Sequence, residues 1–127
     1  NISELVDICL AKNEKKIMNI LNENNFSKED SLAIIRTFLF KAKRLLKIRK
    51  SIKENSNLEN VINSFRPVIF WKDKDLVKQQ IKFYSIQKIH KLILSINETE
   101  LLIKKNYDNS INILLNFIFE EVKVTNN

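Results

Sequence analysis

The chain has 127 residues, 44% of them hydrophobic, enough for one domain with a core that needs no metal or disulfide. It contains no glycine, which excludes phosphate-cradling loops, dinucleotide fingerprints and nucleophile elbows, because each brings backbone close to a ligand at glycine. The net charge is +7; a polyanionic partner would suit it, but so would the lysine-, asparagine- and isoleucine-rich composition of an AT-rich genome.

Strand-rich folds usually use glycine at their turns, so its absence favours an all-helical chain. Cys9 is alone, so no intrachain disulfide or cysteine-based zinc site is expected, and a reducing cytoplasm is the natural location. No apolar run has the length of a membrane span. Asn1-Ile2-Ser3-Glu4 has no signal-peptide pattern and no initiator methionine, so a fragment of a longer protein is expected. Asn25-Phe26-Ser27 and Asn97-Glu98-Thr99 match the glycosylation pattern, which carries little weight in a cytoplasmic protein.

Ser3 is placed to cap a short helix over Glu4 to Ala11, with Leu5, Ile8 and Cys9 on one face. Cys9 reads as a small buried apolar residue. After a break at Asn13, a second helix starts at Glu14 and carries Ile17, Met18, Ile20 and Leu21. Asn22 to Asn25 follow as a loop, and the two helices form a short hairpin.

Ser27, with Asp30 three residues on, gives an acidic capping box. The helix it opens spans Lys28 to Lys53. Ile35, Phe38, Leu39, Ala42, Leu45, Leu46 and Ile52 fall on one side, and Arg36, Lys43, Lys47 and Lys50 form a stripe on another. Ser31 to Lys53 hold eight Lys/Arg and no acid, leaving 14 of the chain's 22 basic residues against 15 acidic ones. This one helix therefore carries the positive balance. A charge run is ordinarily a solvated face, but like charges at i,i+4 cost a helix a few tenths of a kcal/mol each. An anionic partner would relieve that repulsion.

Glu54 to Asn57 read as a polar linker. Leu58, Val61, Ile62 and Phe65 suggest a short helix stopped by Pro67, the only proline, which fixes its own φ and disfavours the α region at Arg66. Trp71, the only tryptophan, lies between Phe70 and Lys72, with Lys74 close by. Its ordinary reading is a core plug between two helical halves; a flat aromatic among cations at a helix entrance would also stack on a nucleobase. Asp75 is placed to cap a helix carrying Leu76, Val77, Ile81 and Tyr84, and Ser85 is a second cap or a kink. A long helix over Ile86 to Lys105 follows, with Ile86, Ile89, Ile93, Ile96 and Leu101 as its seam. Asn106 to Asn109 form a turn. A last helix over Ser110 to Val122 points Ile111, Leu114, Leu115, Ile118 and Phe119 inward, and Val124 to Asn127 fray.

The expected architecture is all-α, a bundle of about five main helices plus short ones, in a single domain over residues 1–127, with the two long helices as its backbone. Chemistry is sparse. His90 has no acid or nucleophile partner, Asp73 and Asp75 look like helix-start residues, and Glu98, Glu100, Glu120 and Glu121 form no catalytic motif. Nothing implies a cofactor, a metal or an active site. A binding or assembly domain is the expectation; a free-standing basic helical nucleic-acid binder using the Ser31–Lys53 helix is the alternative.

Several stretches taken in order resemble the C-terminal part of the delta subunit of the bacterial DNA polymerase III clamp loader. Leu5-Val6-Asp7 through Lys16-Ile17-Met18-Asn19-Ile20-Leu21 resembles the helix pair that begins this region. Ile34-Ile35-Arg36-Thr37-Phe38 resembles its hydrophobic-Arg-Thr pattern. Arg66-Pro67-Val68-Ile69-Phe70-Trp71-Lys72-Asp73-Lys74 is similar to its central aromatic-basic stretch and is the most specific match. Thr99-Glu100-Leu101-Leu102-Ile103-Lys104-Lys105 resembles the helix that follows.

The resemblance implies a non-catalytic piece of a DNA-replication complex whose parent enzyme is a DNA-directed DNA polymerase. Its fold would be of the clamp-loader collar type, and its partners the other clamp-loader subunits, met through the collar. The sliding clamp would be bound only by an N-terminal part absent from this sequence. The family's collar lies near the single-stranded template of primed DNA. The resemblance puts Trp71 at a template-facing aromatic position and Tyr107 at a second, within a less similar turn. Lys72, Lys74, Lys104 and Lys105 would then contact phosphates, without sequence preference. Whether Arg36 and the rest of the stripe face DNA or a neighbouring subunit stays open at this point.

Overall fold

The computed structural model describes residues 1–55 and 57–125. Among them the chain forms seven α-helices: α1 (Ile2–Leu10), α2 (Glu14–Glu23), α3 (Lys28–Asn55), α4 (Leu58–Ser64), α5 (Lys74–Ile81), α6 (Ile86–Lys105) and α7 (Ser110–Glu121). Two single 3₁₀ turns, Trp71–Asp73 and Tyr107–Asn109, lead into α5 and α7. The all-α class expected from the composition is what the chain adopts.

Helix starts follow local hydrogen bonding. α1 begins earlier than expected because the Asn1 carboxamide, not Ser3, accepts from the Glu4 amide at 3.1 Å. The Ser3 hydroxyl instead accepts from Lys41 Nζ at 3.1 Å. Asn13 caps α2 on the Lys16 amide, and Lys12 before it closes the α1–α2 turn with φ 61°. The Asp30 carboxylate accepts from the Ser27 amide at 2.8 Å, the returning half of a capping box. Ser85 caps α6 on the Lys88 amide, which resolves that position as a cap. Asp73 rather than Asp75 precedes the first residue of α5, since the 3₁₀ turn already ends there. α3 runs on through Glu54 to Asn55, so the expected linker is shorter than Glu54–Asn57. Ser56, Asn126 and Asn127, which fall in the expected linker and fraying tail, lie outside the described residues.

The two long helices are antiparallel. Lys28 of α3 reaches Asp108 beyond the end of α6, Arg36 reaches Glu100, and Arg49 reaches Tyr84 before its start. The buried positions of α6 are Ile89, Leu92, Ile96, Thr99 and Ile103. They alternate by three and four residues, the seam of a coiled-coil-like pair. Ile34, Ile35, Phe38, Ala42, Leu45 and Ile48 of α3 are likewise buried. The seam runs through Leu92 and Ile103, and Leu101, expected inside, is exposed because it sits two residues before Ile103.

α1 and α7 complete the core. Phe117 of α7 meets Phe38 edge-on with ring centroids 4.9 Å apart, a geometry favoured by the ring quadrupoles. Phe117 thereby takes the inward place expected of Phe119, which is exposed. α2 buries only Ile17 and Ile20, and Met18, expected on its apolar face, is exposed.

Candidate nucleic-acid interface

The eight cations between Ser31 and Lys53 divide into two sets. Lys41 is buried and donates to Asp7 at 3.1 Å. Arg44 lies 3.9 Å from the same carboxylate. Burial lowers the Arg44 pKa, and the charges of Asp7 and Asp73 oppose that shift. The buried Gln80 side chain donates to the Asp7 backbone carbonyl at 2.9 Å and to its carboxylate at 3.4 Å, so α1, α3 and α5 meet at one residue. Arg49 donates to the carbonyls of Tyr84 and Ile81 at the end of α5 and just past it, the Ile81 carbonyl also accepting from the Tyr84 amide. Arg36 pairs with Glu100 at 3.4 Å. Lys104, and then Arg36, hold the Glu100 carboxyl below its ordinary pKa against the opposing effect of burial.

Those four cations serve the fold. The other four, Lys43, Lys47, Lys50 and Lys53, are exposed and make no ion pair among the described residues. With Arg36, Lys43, Lys47 and Lys50 form the solvent-facing stripe anticipated from their spacing.

The central aromatic segment adjoins this stripe. A groove runs between Lys47 and Lys50 on α3 and Phe65 and Arg66 after α4. Arg66 donates to the Ser64 and Phe65 carbonyls, which fixes its guanidinium over the end of α4. Beyond it, Ile69 is buried and anchors the segment, while Val68 and Phe70 stand out. Trp71 is 70% exposed, so it is not a core plug. Its neighbours leave its outer face open: Phe70 lies 5.9 Å away at a tilt and Lys72 Nζ sits 5.4 Å from the ring. Lys74 is tied to Asn63 at 3.0 Å, leaving Lys72 as the freer cation.

The second group expected from the resemblance lies elsewhere. Tyr107 sits under Lys28 Nζ at 5.9 Å, at the opposite end of α3. Lys28 and Lys47 are about 28 Å apart along the α3 axis at 1.5 Å per residue. Lys104 is engaged by Glu100 at 3.1 Å, and Lys105 is exposed beside it. The structure therefore groups Trp71, Lys72 and Lys74 at one place and Tyr107, Lys104 and Lys105 at another.

Three features were missed from sequence. Asp7 and Lys41 form a buried ion pair; the signals were an acid inside the run Leu5–Leu10 and a lysine at core spacing between Phe38 and Leu45. Phe40 is 60% exposed on the basic face of α3; its place between Arg36 and Lys43 at helical spacing was the signal. The third feature joins Lys12, Tyr84 and Glu121. Lys12 Nζ meets Glu121 Oε2 at 3.0 Å and its backbone carbonyl, while the Tyr84 hydroxyl donates to the same carboxylate oxygen at 2.5 Å. Burial first, and the Glu121 charge second, push the Tyr84 hydroxyl well above its ordinary pKa. No local pattern announces that trio, because its members are far apart in sequence.

His90 is exposed and Cys9 buried, its thiol pushed up chiefly by burial. Among the described residues no group of three His, Cys, Asp or Glu is placed to hold a metal ion, and no helix is long and apolar enough to cross a membrane. A scan against protein-family models, a search of curated proteins and a search of solved structures each return no match. The arrangement offers cations and open aromatic faces.

Proposed function

We propose that this chain is the collar domain of a delta-type clamp-loader subunit, a non-catalytic piece that helps load the sliding clamp onto primed DNA. In this reading it holds its subunit beside ATPase neighbours in a pentamer, and Trp71 faces the single-stranded template. The observation that carries the reading is the exposure of Trp71 with Lys72 beside it, at the position where the resemblance calls for a template-facing aromatic. Stacking there would contribute roughly 1–3 kcal/mol per base.

A collar piece also needs open apolar surface for its neighbours. Leu94, Leu101 and Leu102 on α6 are at least half exposed, apolar side chains that a neighbouring subunit would cover. Cytoplasmic location belongs to the same reading.

The test is reconstitution with the ATPase subunits of a clamp loader, followed by size-exclusion chromatography. Co-elution that Leu94→Asp with Leu101→Asp abolishes is the expected result, with no ATP hydrolysis by the domain alone. Failure to associate with any collar, or ATPase activity in the pure chain, would refute the reading.

A further inference from the structure

Phe40 is an anomaly of α3. The helix face opposite its core carries Arg36, Phe40, Lys43, Lys47 and Lys50, alternating by four and three residues, so all five lie in one straight row. Four members are cations. The fifth is a large apolar ring, 60% exposed, with no neighbouring element laid over it. A single exposed apolar side chain is common on a protein surface; what distinguishes Phe40 is its place within a row of cations that leads into a groove.

The row continues into the groove between Lys47, Lys50, Phe65 and Arg66. Arg66 brings a cation from a different element to the same channel. Glu54 also lines it, the one acid there, at the far end. Lys43, Lys47 and Lys50 span about 10 Å of helix axis at 1.5 Å per residue, a length of about three nucleotide steps at the ~3.4 Å rise of a stacked strand and fewer in a more extended one.

We propose that this row is a binding track for single-stranded nucleic acid. Lys43, Lys47 and Lys50 contact consecutive phosphates, Arg66 contacts the strand where it enters the groove, and a base stacks on Phe40. Single-stranded rather than duplex nucleic acid is the fitting ligand because an isolated aromatic face needs an unstacked base. An anionic membrane suits the row itself less well, since one ring among four cations gives no apolar face to insert; Val68, Phe70 and Trp71, exposed on the adjoining segment, make anionic vesicles the comparison that decides. The site is separate from Trp71 and does not depend on the collar reading; it holds whether the chain acts alone or in an assembly.

The test is fluorescence anisotropy of labelled oligo(dT) titrated with the whole chain over a series of salt concentrations. The combined Lys43→Gln, Lys47→Gln and Lys50→Gln variant should bind at least about tenfold more weakly at low salt, and its log–log salt slope should fall by about 2. Phe40→Ala should weaken binding roughly five- to hundredfold. A charge-matched control, Lys15→Gln with Lys16→Gln and Lys91→Gln, should change little. All these side chains are exposed, so helicity by circular dichroism should match the parent. Equal losses in the control and the stripe variant would overturn the track, as would a Phe40→Ala variant with unchanged affinity. Tighter binding to vesicles of anionic lipid, or duplex binding as tight as oligo(dT), would overturn it as well.

Discussion

Lys41 and Asp7 meet at 3.1 Å in the interior, each with a side chain less than a tenth exposed, and their ion pair fixes α1 against α3. A buried pair contributes little relative to well-packed apolar groups, but breaking it leaves a buried charge short of partners: without Lys41, Asp7 keeps Arg44 at 3.9 Å and the Gln80 amide at 3.4 Å. Lys41→Met should therefore destabilise the chain by about 3 kcal/mol or less, the low end for a broken buried pair because Arg44 remains, against the roughly 5–15 kcal/mol that holds a domain folded. Adding Asp7→Leu should not recover the loss, because it takes the carboxylate away from the largely buried Arg44, 3.9 Å from it. Urea unfolding of both variants checks this; a Lys41→Met chain as stable as the parent would show that Arg44 or water compensates Asp7 fully, and a double variant restored to the parent's stability would show that Arg44 does not need the carboxylate.

Lys12 carries a second test. Its backbone lies at φ 61°, a region that costs a non-glycine residue on the order of 1 kcal/mol or more. Its ammonium offsets that cost by bonding Glu121 and lying 4.7 Å over the Tyr84 ring. Lys12→Ala keeps the backbone cost and loses the bonds, whereas Lys12→Gly loses the bonds and relaxes the backbone. The glycine variant should be the more stable of the two by about 1 kcal/mol, measured by thermal unfolding. The opposite order would mean that the turn relaxes around alanine.

Local signals in the sequence were enough for the helices but not for their partners. The extent of α6 follows from Ser85 and an unbroken apolar rhythm, and the end of α4 near Pro67 follows from the proline ring. Which residues of a helix face inward depends on the neighbour it packs against. Phe117 and Phe119 are equally apolar and two positions apart; only the location of Phe38 decides between them. The same holds for charge. Arg36, Arg49 and Lys50 look alike in the sequence, yet Arg36 is balanced by Glu100 and Arg49 by two carbonyls, while Lys50 makes no ion pair among the described residues. Trp71 was ambiguous because aromatic residues serve cores and stacking surfaces equally well.

Glu100 makes stability depend on acid. Bonds from Lys104 and Arg36 hold its folded-state pKa below the ordinary 4.5. A carboxylate with a depressed folded pKa contributes stability that is complete above its unfolded value and disappears as pH falls through the folded one. The stability difference between the parent chain and Glu100→Gln should therefore be constant near neutrality and shrink below about pH 4.5. Urea midpoints across that range, with an NMR titration of the Glu100 carboxyl, check it. A gap that persisted in strong acid would place its origin outside this ionisation.

Trp71 and Ile69 stand two residues apart and should behave oppositely. Ile69 is 2% exposed and Trp71 70%. Ile69→Ala should cost about 2–5 kcal/mol by removing buried methyl groups and leaving a cavity, whereas Trp71→Ala should stay within about 0.5 kcal/mol of the parent. The emission of Trp71, the sole tryptophan, should be red-shifted in the free chain. On titration with oligo(dT) at low salt it should be quenched, and the quenching should weaken as salt rises. A red-shifted emission that DNA leaves unchanged would keep the exposed ring but remove the template contact from the proposed function. A blue-shifted emission together with a large loss of stability in Trp71→Ala would contradict the placement of the ring itself.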